Sequence, residues 1–268
     1  MRVSKYVTLF QLTWQEYLAY RMNFALEVFG SIFLILVTTL VWKTLFSTQG
    51  SLIAGYSEHE MITYVVGAGM ISSLLLLTAQ GDDINDDIQQ GRLSVLLLKP
   101  FHATVYWLIR DMCRKSLTFI IGIVGYSVVF LLYHDILFFP TSLWQFVLFL
   151  VFLFVASLLH YGFFYILSIL SFWIDQTWGF RFVMRVVMEI AAGALIPLNL
   201  FAPLWQKIFS ALPFQFFAYV PMQVYIGKVS YSQAFLLLGE GILWLGGIAM
   251  IGYILWRKGI RLYTAQGN

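Results

Sequence analysis

GDDINDDIQQGRLSVLLLKPF, residues 81–101, gathers four carboxylates (Asp82, Asp83, Asp86, Asp87), Arg92 and Lys99 in a chain that otherwise carries little charge. Apolar runs long enough to cross a bilayer lie on both sides of it. The carboxylates stand where a new helix would begin, which its dipole favours. Ile84, Ile88, Val95 and the group Leu93, Leu96 and Leu97 supply an apolar side. Gly91 permits a break in the middle, and Lys99–Pro100 ends the element. A solvated loop would account for the four aspartates. It would not account for a leucine ridge outside the bilayer, which reads as a helix that enters a partner's groove.

The composition sets the class. Of 268 residues, 60% are hydrophobic and 11% charged, with a mean hydropathy of +0.82. Soluble domains carry about 25% charged residues, and so apolar a chain of this length could not cover its surface in water. A net charge of +3 without a basic groove points away from nucleic acid. The single Cys113 forms no internal disulfide and fits no metal spacing. The first apolar run has no small-residue cleavage site and is expected to stay as an anchor.

A spanning helix needs about 20 apolar residues, and six runs qualify: 24–46, 61–80, 112–133, 141–173, 182–200 and 234–256. The fourth is longer than a bilayer requires, and Gly162 is expected to mark a bend in it. Before the first run, residues 3–21 place Val3, Val7, Phe10, Trp14 and Leu18 on one helical face and Ser4, Thr8, Gln11 and Gln15 on another. That pattern predicts an amphipathic helix lying in the interface. Six crossings put both termini on one side. That side holds 13 of the 16 basic residues, leaving only Lys43, Lys207 and Lys228 opposite. Positive charge stays in the cytoplasm, which places the termini and residues 81–101 there. Residues 209–226, FSALPFQFFAYVPMQVYI, are apolar enough for a seventh crossing. Pro213, Pro221 and two glutamines argue against it. A seventh crossing would also carry Arg257, Lys258 and Arg261 outside. The expectation for 201–233 is a broken, re-entrant pair of short helices, buried against other helices or lining a path.

The chain has no P-loop, no GxSxG and no HExxH, and His59, His102, His134 and His160 are scattered. Catalysis by this chain alone is not expected, and no metal site is. Three ionisable residues fall inside apolar runs: His160, Glu189 and Glu240. Such groups usually face the protein interior. Two readings stay open for them, a polar patch or proton relay in a path, or interhelical hydrogen bonding that fixes packing. Arg185 and Glu189, four apart, are a possible intrahelical pair.

Taken together, four stretches resemble the ABC-2 type permeases, the membrane subunits of ATP-binding-cassette exporters. They are the N-terminal amphipathic helix, GRLSVLLLKPF after the second run, IPLNLFAPLWQKIFSALPFQFFAYVPMQVYIGK between the fifth and sixth, and the tail ILWRKGIRLYTAQG. The resemblance covers nearly the whole chain and is closest to the six-span branch of about 260 residues. It implies an all-α membrane protein of one transmembrane domain with 82–99 as a coupling helix. Ile88, Gly91, Arg92, Leu93, Leu96, Leu97, Lys99 and Pro100 would meet a cytoplasmic ATPase. That partner would hold ATP and Mg, with no cofactor on this chain. It implies a second permease, the same or a related chain, and residence in the cell's inner or plasma membrane. Pro213, Phe214, Gln215 and Pro221 would belong to an outer gate. Competing functions are an ion-coupled carrier or channel, and a polytopic membrane enzyme acting on lipid.

Overall fold

The computed structural model describes residues 2–50, 52–75, 82–140, 142–174 and 177–263, without the side chains of 2–4, 49 and 82. The protein is almost entirely helical. Helix α1 (Arg2–Ala19) leads into α2 (Arg21–Gln49). Strands β1 (Leu52–Ile53) and β2 (Tyr56–Ser57) form a small antiparallel hairpin before α3 (Glu58–Leu75). Then follow α4 (Asp82–Gln89), α5 (Leu93–Leu98), α6 (Ala103–Tyr133) and α7 (Leu143–Ile169), the last extended by a 3₁₀ turn to Phe172. Helix α8 (Trp178–Ala191) precedes three short pieces, α9 (Pro203–Ser210), a 3₁₀ turn over Pro213–Phe217 and α10 (Tyr219–Tyr225). Helix α11 (Tyr231–Leu262) closes the described chain. The hairpin was not expected from sequence. Ala54 and Gly55 both have positive φ, 48° and 81°, as a tight two-residue hairpin turn requires.

Among the described residues, four helical segments are long and apolar enough to cross a membrane: Arg21–Thr48, Ala103–Tyr133, Leu143–Phe172 and Tyr231–Leu262. They correspond to the first, third, fourth and sixth predicted runs. The second run is helical through Leu75, and its last residues, 76–80, lie outside the described residues, as does Gly81. The fifth run is corrected. Helix α8 begins at Trp178 and stops at Ala191, 14 residues or about 21 Å, short of the ~30 Å of a hydrocarbon core. The stop is a Schellman motif. Gly193 takes φ +70°, its N–H donates to Ile190 O at 3.0 Å and Ala194 N–H donates to Glu189 O at 3.3 Å. Pro197 then prevents the helix from resuming. The carbonyls freed by the break are capped from elsewhere: Tyr219 N–H donates to Ala192 O at 2.9 Å and the Tyr64 hydroxyl donates to Gly193 O at 2.6 Å.

Gly162 lies within α7, which runs continuously from Leu143 to Ile169. A Cβ there would stand 2.6 Å from Ile248 Cγ2 of α11. Its smallness lets the two helices approach, as small residues do in membrane interfaces. Gly259 of α11 does the same against the Phe172 ring. Around this pair sits the main core, in which Tyr64, Phe152, Leu159, Met188, Phe216 and Phe217 are fully buried.

The broken stretch is buried within that core. Pro213, Phe214, Gln215, Phe216 and Phe217 are all buried, as are Val220–Val224 of α10. Each proline sits in the first turn of its piece, Pro213 at the start of the 3₁₀ turn and Pro221 third in α10. A first-turn amide has no intrahelical partner to lose. Gln145 of α7 reaches over to donate to Val224 O at 3.0 Å and Tyr225 O at 2.6 Å. Helix α9 lies on the surface, with Leu204, Trp205 and Ile208 exposed.

Candidate functional site: the platform around residues 82–101

The charged segment folds as two short helices meeting at an angle. Gly91, at φ +74°, supplies the turn between α4 and α5, as the sequence predicted. Ile84 and Ile88 of α4 and Leu93 and Leu96 of α5 face inward, onto Trp107 of α6, Tyr165 and Ile169 of α7, and Trp256 of α11. Trp107 and Trp256 meet edge-on, their centroids 5.6 Å apart. Three of the residues expected to touch a partner, Ile88, Leu93 and Leu96, are therefore anchors of the platform, 6%, 0% and 4% exposed. The outward set is Arg92, Leu97, Lys99 and Pro100 together with Val95 and Leu98, with Gly91 half-buried beside them. Leu98 is 88% exposed, the highest value among the large apolar residues described.

Polar bonds fasten the platform on every side. Arg110 of α6 pairs with Glu16 of α1 at 3.0 Å and with Asp83 of α4 at 3.1 Å, and the Tyr17 hydroxyl donates to the same Asp83 carboxylate at 3.3 Å. Asp87 accepts from Trp107 Nε1 at 2.9 Å and pairs with Arg92 at 3.2 Å. Burial pushes the Asp87 carboxyl above its ordinary value despite the Trp107 bond and Arg92. Burial, with Asp83 nearby, likewise raises the Tyr17 phenol. Thr177 donates to Asn85 at 2.9 Å, and Ser94 N–H donates to the Tyr263 hydroxyl at 3.2 Å. Near the start of α1, Lys5 donates to Pro100 O, and the rings of Tyr6 and Phe101 pack at 5.7 Å.

Helix α1 thus braces the platform from the side. Its packing face is Leu9, Thr13 and Tyr17, all buried. The predicted apolar face is a different one. Val7, Phe10 and Leu18 are exposed and Trp14 half-buried, so it stays available to lipid. Val3 and Ser4 of the predicted faces lie outside the described side chains.

The three ionisable residues inside apolar runs have separate surroundings. His160 is fully buried, with ring contacts to Phe164 and Phe217 at 4.8 and 5.7 Å and no hydrogen bond on either nitrogen. Glu240 accepts from Gln215 Nε2 at 3.3 Å, which joins two predicted residues, one on α11 and one in the broken stretch. Glu189 lines a cavity of about 320 Å³ between α2, α3 and α8. Arg185 lines it too, but the expected pair is not made. Its guanidinium lies over the Phe182 ring at 5.6 Å, and among the described residues it has no ion pair. Two features escaped the sequence reading. Glu27 lines the same cavity, and as the only carboxylate in the run 24–46 it carried its own signal. Lys115 and Asp111 form a buried ion pair at 2.6 Å, with Lys115 also donating to Ser157 O at 3.1 Å. Their spacing of four residues could have shown it.

At the other end, Tyr56 of the hairpin, Asn199, Gln223, Lys228 and Glu60 are joined by hydrogen bonds and an ion pair of 3.0 Å. Long apolar helices with one polar platform at one end, and a buried broken segment toward the other, define a multi-pass helical membrane protein. The chain belongs to the ABC-2 family of transporter proteins, whose family model matches residues 32–267. No curated protein matches it. It is therefore a membrane component of a transport system.

Proposed function

We propose that this chain is the permease subunit of an ATP-binding-cassette exporter, paired with a second permease and driven by separate cytoplasmic ATPase subunits that hold ATP and Mg. The observation that carries this is the exposed edge Val95, Leu97, Leu98, Lys99 and Pro100 on a platform braced by α1, α6, α7 and α11. An isolated apolar edge on so rigid a base suits docking into a partner. The absence of a P-loop in the sequence gives that partner its task. In this reading α2, α3, α6, α7, α8 with the segment after it, and α11 make six crossings. The broken stretch up to residue 233 forms the outer side, with Pro213, Phe214, Gln215 and Pro221 in its gate. The excess of basic residues puts the platform and both termini in the cytoplasm of a cell's inner or plasma membrane. His160 serves packing, and Glu240 steadies the gate through Gln215.

The test is a complex purified with its ATPase subunits, identified by mass spectrometry, and reconstituted in liposomes. The double substitution Val95→Glu with Leu98→Glu is expected to leave the chain folded and in the membrane while transport per ATP hydrolysed falls by about tenfold or more. Transport at the unsubstituted rate would refute the docking role.

A further inference from the structure

A second cavity, of about 380 Å³, lies among α3, α6, α7 and α10. Thr63 bonds to Phe138 N–H and Ser73 to the Tyr126 hydroxyl, so α3 and α6 run antiparallel along it. Its lining extends from Thr118 to Phe130 on α6 and from Thr63 to Leu74 on α3, about 18 and 16 Å at 1.5 Å per residue. That is close to one leaflet, half of the ~30 Å hydrocarbon core. No charged side chain lines it. Its hydroxyls are turned to protein partners: Thr63 Oγ1 accepts from Phe138 N–H at 2.7 Å, and the Tyr126 hydroxyl bonds to Ser73 and, at 2.8 Å, to Ser31. Thr118 Oγ1 is buried in the wall. A space so lined holds water poorly, and its walls lack dispersion contacts until carbon fills it. Its rim includes Ile123 of α6 and Phe146 and Leu150 of α7, all exposed. The cavity is therefore continuous with the surface that lipid covers.

We propose that this cavity binds one acyl chain of a bilayer phospholipid, which enters sideways between α6 and α7. The chain follows α3 and α6 toward the bilayer centre and lies against Met222 and Tyr225 of α10. It completes the packing beside the broken segment, where Met222 already rests on Gly67 of α3. With no charge on the lining, the site reads the chain and not the headgroup. Only its place in the outer leaflet rests on the permease reading.

The full chain, without ATPase subunits, is placed in phosphatidylcholine nanodiscs containing a small share of phosphatidylcholine with a diazirine at the end of one palmitoyl chain. After photolysis the adducts are mapped by mass spectrometry. Leu153, half-buried on the α7 wall of the cavity, is expected to take more label than Val124, which is 72% exposed outside it. Ile123→Trp and Leu150→Trp, from facing walls, put an indole where the chain would lie, and each lowers labelling of Leu153 about tenfold. Val124→Trp leaves that labelling unchanged, which separates loss of the site from loss of the fold. A phosphatidylglycerol probe with the same chain labels Leu153 equally. Labelling of Leu153 no higher than that of Val124, or unmoved by either cavity tryptophan, or dependent on the headgroup, overturns the proposal. So does its absence, as when a second copy covers the rim. Both leaflets carry the same lipid and no ATPase is present, so that failure leaves the permease reading and its docking test untouched.

Discussion

Arg110 is the residue on which the platform's lateral bracing converges. Its side chain is 15% exposed and binds carboxylates from two different helices, Glu16 of α1 and Asp83 of α4. Replacing it with Ala strips both acids of their partner, and charge-assisted bonds of this kind contribute about 1.5–3 kcal/mol. The acids are nearly half exposed, so solvent screening trims the loss toward the lower end. Arg110→Ala is expected to lower the thermal midpoint of the purified chain by several degrees. Arg110→Lys should recover only part of it, since an ammonium lacks the planar guanidinium that grips both Glu16 oxygens while Nε reaches Asp83. An unchanged midpoint for Arg110→Ala would remove α1 from the account of the platform. Asp87 behaves oppositely. Burial raises its pKa, with Trp107 and the half-exposed Arg92 acting against the shift without cancelling it. A carboxyl whose folded pKa is raised costs stability when ionised, and that cost vanishes as pH falls through the folded value. Asp87→Asn keeps an acceptor for Trp107 and never ionises. It should be more stable than the native chain at pH 7, and the two should converge by about pH 4. Unfolding measured across that range decides it, and a variant that is less stable at pH 7 would show Arg92 to dominate.

At the scale of elements, helix contacts depend on glycines that only the assembled protein explains. Gly162→Val would put branched carbons onto Ile248, which a Cβ alone would approach to 2.6 Å. Overpacking a membrane interface this way costs about 1–3 kcal/mol, readable as earlier thermal aggregation, and a wild-type melting curve would place the α7–α11 seam elsewhere. From the sequence Gly162 reads as a bend, because a glycine in an apolar helix carries no sign of its neighbour. The fifth run fails for another reason. Hydropathy sums apolar residues over 182–200 without asking where the helix stops, although Gly193 followed by Pro197 is a stop signal in its own right. The turn at Gly91 and the closing Lys99–Pro100 were legible because both act through the backbone alone. Which leucines of α5 face inward was not. Leu93 and Leu96 look like Leu97 and Leu98 until Trp107, Tyr165 and Ile169 are brought beneath them. The hairpin at 52–57 has strands of two residues, too short for alternation to show.

The whole molecule has two dissimilar ends, and the proposed placement of each across the bilayer is open to labelling. One end carries α1, the platform, Thr177 and Tyr263, tied together by the bonds around Asp83, Asn85 and Ser94. The other carries the hairpin, Lys228 and the turn after α6, where His59 bonds to Ile136 O at 2.9 Å. With 13 of 16 basic residues assigned to the platform's side, the proposed topology has that end in the cytoplasm. The single native thiol, Cys113, is buried at 0% exposure, so the wild-type chain should take up little of a membrane-impermeant maleimide and needs no prior substitution. Cysteines introduced singly at Asp135, 86% exposed, and at Lys207 are expected to react in intact cells. One at Leu98 should react only after the membrane is opened. Labelling of all three from outside would mean that the chain between Leu98 and Asp135 does not cross, which contradicts the 31-residue span of α6. Labelling of Leu98 alone would keep the fold and invert it, leaving the platform on the wrong side for an ATPase.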